Sequence, residues 1–392
     1  MRPVRISGLG CTLLDFVYNG VDFSGEEFKK YRSRELGDGG LTPGHLVFLE
    51  DLEKFAGKDF EAINKDITGD RKPDTFNIGG PAVVSIIHAA QMLGKDAEIR
   101  FVASLGRDWI EKKILSILAD TPVDAGEFLT RDLRTPFTNV FSDPSYNEGR
   151  GERTFINNIG AAACLQPEDL PEGFLKADIL VLGGTALVPG IHDRLDDILN
   201  TAGPDTYKLI NTVFDFRNER RSPGKPWPIG KNHGSFPLID LMIMDREEAL
   251  KISGQNDIDA AIRYFVESPL KSFIITNGTE SVVIYSEPQG LVIPHSMPVS
   301  KAIFSKVVSG ETDGDTTGAG DNFVGGVIYS IASQMADGKA LPDLIEASKW
   351  GIVSGGYACF YMGGTFIEKY EGEKLEKIRY YYDLFTKQLE NA

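Results

Sequence analysis

The chain has 392 residues, 42% hydrophobic and 25% charged, with a formal net charge of −16 at pH 7. That length suits one large α/β domain or two ordinary ones, and the composition is that of a globular chain with a sizeable core. The acidic balance argues against a nucleic-acid partner: the densest basic cluster, Arg217, Arg220 and Arg221, reads as a solvated loop rather than a binding stripe. No apolar run approaches the ~18 residues of a membrane span. A strand-like run begins at Val4, leaving no room for a leader segment, and Cys11, Cys164 and Cys359 have neither metal nor redox spacing. These features lead to the expectation of a reduced, cytoplasmic protein with buried thiols.

In chain order, strand-length apolar runs alternate with helical periodicity. The first strand, 4–9, leads into Gly10-x-x-x-x-Asp15. The pattern breaks over 17–75, rich in Gly, Asp and Lys with turn signals at Gly37-Asp38-Gly39-Gly40 and Thr42-Pro43-Gly44. A helix over 82–93, a strand over 99–104 and a helix over 108–119 follow. The pattern breaks again over 136–158, which reads as strands 137–141 and 153–157 joined by a polar turn. Phe137, Asn139 and Phe141 alternate with Thr138 and Val140, so both faces of that strand should meet something, a ligand or another subunit. Strands over 179–182, 208–213, 238–244 and 272–276 then alternate with helices over 247–252, 257–267, 320–335, 342–362 and 372–390. Such alternation predicts a doubly wound, mostly parallel sheet flanked by helices. The two irregular regions, 17–75 and 136–158, are expected to form a small lid inserted in one domain over 1–392.

The most informative run is Asp315-Thr316-Thr317-Gly318-Ala319-Gly320-Asp321-Asn322-Phe323. A Gly-Ala-Gly turn opens into a helix whose Phe323, Val327 and Ile331 give it a buried face. Free N–H groups at a glycine-rich helix N-terminus make an anion site, and Gly318 and Gly320 let a phosphate approach the backbone. Asp321 stands in the first turn, as a helix cap or as a base. The helix dipole should weaken it as a base. A weak base suffices for phosphoryl transfer, whose loose transition state lets the acceptor hydroxyl lose its proton late.

This run resembles the C-terminal signature of the ribokinase-like (PfkB) sugar and nucleoside kinases, and the resemblance extends from about residue 4 to 368. It implies an α/β ribokinase-like fold with a β-rich lid, an anion hole from the backbone of Gly318, Ala319 and Gly320, and Asp321 as the catalytic base. It implies substrate binding by Asp15 and by Gly79 and Gly80 at the start of a helix. Ser85 stands near where the family usually has an Asn. Thr276 and Gly278 match the strand end near the nucleotide. Glu248 matches the family's magnesium-ordering Asn-x-x-Glu, with Asp245 replacing the Asn and acting through water. Asp315 and Thr317, with backbone near Gly363-Gly364, would hold a monovalent cation such as K+. The implied cofactors are ATP and Mg2+; the lid can pair with that of a second subunit, giving a homodimer.

A sugar acceptor is favoured over a nucleoside, because Asp215-Phe216-Arg217 faintly resembles a stretch of some sugar kinases. Phe137, Phe141 and Phe155 could instead stack on a base, though packing is the simpler role. A catalytically silent ligand-binding relative is the alternative from another class, with Ser85 and Asp245 as its signs. Gly8-Leu9-Gly10 lacks the third glycine of a dinucleotide fingerprint, since Leu13 stands there. His45, His88, His192, His233 and His295 show no metal-ligand spacing and are read as structural or exposed, and Trp227 as an anchor for its Pro-rich loop in preference to part of a pocket wall.

Overall fold

The computed structural model describes residues 2–35, 37–149, 151–312 and 314–391. Among the described residues, eight strands form the large sheet in the spatial order Leu291–Met297, Val282–Ser286, Ser272–Thr276, Leu241–Asp245, Tyr207–Asn211, Ile179–Gly183, Val4–Gly10, Ala97–Val102. The strands from Ser272–Thr276 to Ala97–Val102 are parallel throughout. The two at the other edge are antiparallel. Along the central strands, neighbouring residues feed different cores. Ile179 and Val181 join the helices Pro81–Leu93, Ala319–Ala336, Leu344–Ala358 and Glu373–Glu390 on one face. Leu180 and Leu182 join Leu195–Ala202, Arg246–Ser253 and Ile258–Glu267 on the other. Burial on both faces is why these strands read as continuous apolar runs. Val4–Gly10 lies between Ile179–Gly183 and Ala97–Val102, so the chain reverses its winding there, which opens a crevice at the carboxyl ends of the strands.

A second sheet has the order Leu46–Phe48, Glu152–Asn158, Phe137–Asp143, Leu13–Asn19, Thr75–Gly79. It draws on both expected lid regions and extends past them, to Leu13 and Gly79. The insert between its strands is also helical, with Glu26–Lys29, Leu49–Ala56 and Phe60–Thr68. These helices explain the two-faced strand Phe137–Asp143. Phe137 packs on Phe60 with ring centroids 5.4 Å apart. The amide of Asn139 donates to Asn64 at 2.7 Å. Val140 and Ser142, on the other face, line a cleft. The face read as a possible subunit contact is thus covered by the chain's own helices, and that strand gives no argument for a dimer.

The insert is tied to the main domain at Leu49–Ala56. Phe48 meets Phe216 edge-on at 5.2 Å, and Arg220 pairs with Asp51. Arg217 pairs with Asp193 at 2.8 Å, so two of the three clustered arginines are ion-paired rather than loosely solvated. Trp227 is buried and donates its indole N–H to Glu219 at 2.8 Å, an anchoring role. Cys11 is buried, but Cys164 is exposed, against the expectation of buried thiols. Among the described residues, no helix is long and apolar enough to cross a membrane.

Candidate active site

The run 315–323 folds as the sequence suggests. Gly318 caps the helix Ala319–Ala336 in the left-handed region, φ 70°. A Cβ there would be strained and would stand 2.5 Å from the Cα of Gly364. The Ala319 N–H reaches the Thr316 carbonyl at 3.3 Å. The N–H groups of Gly318, Gly320 and Asp321 have no backbone partner among the described residues. Gly320 faces open space: a Cβ built on it meets nothing within 4 Å. An unbonded helix N-terminus facing open space has the donors and the dipole to receive an anion.

Two clefts meet at this turn, and Thr316 lines both. One, of about 510 Å³, lies under the lid and is lined by Asp15, Asn19, Thr75, Asn77, Ser142, Glu152, Arg153 and Asp315, among others. The other, of about 360 Å³, is chiefly apolar: Val282, Val299, Ile303, Phe304, Phe323 and Ile352 form its walls, with Thr276, Gly278 and Gly320. Cys359 also lines it.

Asp15 comes from the strand Leu13–Asn19, opposite Asn77 and beside Thr138. Gly79 makes room for it, since a Cβ there would stand 2.5 Å from the Asp15 carboxylate. Gly80 caps the helix Pro81–Leu93 at φ 111°. Burial pushes Asp15 up to about 7, helped by the nearby charges of Asp321 and Asp315. Asp321 is half-buried at the seam, lines the wall of neither cleft, and is pushed up to about 6 by burial. The helix dipole alone would lower it, but a dipole contribution of about 0.3–1 kcal/mol is outweighed by the desolvation of the carboxylate.

Sequence reasoning missed Arg153. It lies on the strand Glu152–Asn158 and reaches across to the run 315–317. Its guanidinium pairs with Asp315 at 3.2 Å and donates to the hydroxyls of Thr316, at 3.3 Å, and Thr317. Asp315 also accepts the Thr317 N–H at 2.7 Å. The two residues expected to hold a monovalent cation are therefore engaged by an arginine, and no such ion is assigned to them.

Ser85 does not line the acceptor cleft. It is fully buried and its hydroxyl donates to the Ala82 carbonyl at 2.8 Å, inside its own helix. Asp245 and Glu248 form a reciprocal cap at the start of Arg246–Ser253: Glu248 N–H to Asp245 at 2.8 Å, Asp245 N–H to Glu248 at 2.9 Å. Glu248 also accepts the Thr212 hydroxyl at 2.6 Å. Burial raises the Glu248 carboxyl, as do the charges of Asp245 and Asp321. Among the described residues, no three His, Cys, Asp or Glu side chains are grouped to hold a metal ion. With their carboxylates engaged by backbone N–H groups and a hydroxyl, Asp245 and Glu248 would reach a divalent cation through water, with phosphate supplying its other ligands.

A family model described as pfkB family carbohydrate kinase matches residues 70–350. Inositol 3-kinase of Arabidopsis thaliana is 26% identical over 203 residues, 50% of this chain and 47% of that protein, so the chain spans about half the length of this curated relative. Among solved structures, adenosine kinase from Schistosoma mansoni in complex with 2-fluoroadenosine superposes with a TM-score of 0.67 at 17% identity, covering 92% of this chain and 96% of that one. Ribokinase from Thermotoga maritima gives 0.63 at 16% identity, covering 96% and 99%. At these identities the structural likeness is one of fold.

Proposed function

From the premise that the chain belongs to the pfkB family of carbohydrate kinases, we propose that it transfers the γ-phosphoryl group of MgATP to a hydroxyl of a small neutral polyol, a sugar or cyclitol. The observation that carries this reading is the pair of clefts meeting at one anion-binding helix N-terminus. The apolar cleft suits an adenine ring, with the phosphates directed at the open face of Gly320. The lid-side cleft suits the acceptor. Among the described residues its lining carries carboxylates, amides and hydroxyls but no aromatic side chain. Phe137 and Phe141, which could have stacked on a base, are buried in the lid core, and Phe155 lies under Arg153 rather than in the cleft. A site rich in acceptors and poor in rings favours a polyol over a nucleoside. Among the described residues its lining is acidic, with Arg153 already paired, which disfavours an acceptor that bears a phosphate or carboxylate. The curated relative named for inositol points the same way.

In the proposed reaction, the acceptor oxygen attacks the γ-phosphorus, the bond to the bridging oxygen breaks, and ADP leaves. The hydroxyl proton passes to Asp321. Asp15 and the backbone at Gly79-Gly80 orient the acceptor's other hydroxyls. The unbonded N–H groups of Gly318, Gly320 and Asp321 hold the charge on the transferred group. Magnesium, when bound with the nucleotide, would neutralise phosphate charge, with Glu248 and Asp245 ordering its water shell. Arg153 brings the lid's positive charge to the same run, so that lid closure and charge stabilisation are one event. The silent-binder reading loses its motive, because Ser85 and Asp245 have structural roles in their helices.

Arg153→Ala is expected to lower kcat by about 10²-fold, the usual scale for losing one charged stabiliser of a developing oxyanion. Arg153→Lys should recover part of it, because an ammonium keeps the charge but not the fork that spans Asp315 and the threonines. Steady-state kinetics check both. Acceptor class is tested by ADP release on a panel: neutral polyols should exceed adenosine and phosphorylated sugars at least tenfold in kcat/KM. Adenosine as the best acceptor would overturn the polyol assignment.

A further inference from the structure

We infer that His88, read from sequence as a structural histidine, is a positioning residue for phosphoryl transfer, acting through Asn322 on the anion-binding turn; this rests on the kinase reading above. The helix Pro81–Leu93 starts at the acceptor-side glycines and crosses Ala319–Ala336 closely. A Cβ on Gly325 would stand 2.6 Å from that of His88. At this crossing His88 Nδ1 lies 2.7 Å from Oδ1 of Asn322, and both residues are 1% exposed. The Asn322 amide nitrogen donates to the Gly318 and Gly364 carbonyls, each at 2.8 Å. Those two bonds fix which way the amide points, so Oδ1 is an acceptor. It takes the Tyr361 hydroxyl at 3.1 Å and, from the other side, His88 Nδ1–H. Burial and the nearby Lys374 ammonium keep the imidazole neutral, so Nδ1 carries its one proton.

The consequence falls on Nε2. It has no proton, is buried, and has no hydrogen-bond partner among the described residues. An unpartnered buried acceptor is unfavourable, and an apolar side chain of similar size would avoid it. What the histidine adds over such a residue is one N–H aimed at Asn322. Asn322 in turn joins the two backbone segments behind the anion site, and it directly follows the proposed base. Without that N–H, Oδ1 keeps only the longer bond from Tyr361, and the amide that ties Gly318 to Gly364 is held less firmly. Phosphoryl transfer is sensitive to shifts of well under 1 Å in such groups.

The test compares His88→Leu with His88→Asn, using MgATP and the neutral polyol that the wild type phosphorylates fastest. Leucine fills the space without a donor; asparagine places an amide N–H about where Nδ1 stands. His88→Leu should lower kcat by about tenfold or more with little change in either KM, and His88→Asn should return to within about threefold of wild type. Wild-type kcat in a folded His88→Leu protein overturns the inference. So does an Asn variant as slow as the Leu variant, since ring bulk would then be what matters. Should His88→Leu fail to fold, Tyr361→Phe decides, because it removes the other donor to Asn322. A several-fold lower kcat at unchanged ATP affinity supports the tie, and unchanged kcat refutes it. Inactivity of the wild type on every acceptor would instead remove the kinase reading, and this inference with it.

Discussion

Asp321→Asn should abolish turnover, by about 10³-fold or more, while making the protein more stable at alkaline pH. Both effects follow from burial, which pushes the carboxyl from its ordinary 3.8 up to about 6. As a base it must be ionised, so activity should fall as pH drops through about 6, and the raised Asp15 at about 7 should broaden that acid limb upward. Ordinary carboxylates would leave the rate flat to near pH 4. The stability effect has the opposite sense. A carboxyl with a raised folded pKa favours the folded state fully only below its unfolded value, and that contribution is lost as pH rises through about 6. At pH 8 the ionised group therefore weighs against folding, by about 1–3 kcal/mol. Asparagine removes the charge and keeps the shape. A melting curve at pH 8 should rise by a few degrees in the variant, and the gap should close near pH 4.

Gly320→Ala should be harmless to the fold and damaging to the reaction. Its backbone lies outside the left-handed region, and an added Cβ meets nothing within 4 Å. Alanine in a first helical turn is, if anything, favourable, by up to about 1 kcal/mol. In the proposed reaction the methyl group enters the space where the transferred phosphate would sit against the N–H groups. A loss of about 10²-fold in kcat/KM for ATP, with an unchanged or higher melting temperature, is the expected pair of results. Unimpaired kinetics would place the phosphate elsewhere. Gly318→Ala is a useful contrast, because strain and a clash with Gly364 should impair folding and activity together.

Much of the fold was legible because its central strands are buried on both faces and so are apolar at every position, as in Ile179–Gly183. The edge strand Leu291–Met297 was not, since Val292 and Ile293 are 59% and 80% exposed and carry no clear pattern. Leu13–Asn19 was not among the strands expected from sequence, because it follows the first strand after only two residues and carries Asp15 within it. The glycine turn that opens Ala319–Ala336 was legible because all its parts are adjacent in sequence. Arg153 was not, because its partner Thr316 lies 163 residues away and strand alternation says which face it takes but not what it meets. Ser85 is fully buried and bonded within its own helix, which its position in the sequence does not reveal. The cap between Asp245 and Glu248 could have been read directly, since an acidic pair at that spacing before a helix is an N-terminal signal.

The most direct measurement follows the label from γ-labelled MgATP into a neutral polyol, with wild type and Asp321→Asn side by side at saturating nucleotide. The account predicts magnesium-dependent label in the polyol with wild type, next to none with the variant, and equal nucleotide binding by both. Label appearing at similar rates with both proteins would contradict the assignment of Asp321 as the base, and label entering adenosine but no polyol would contradict the acceptor site as described.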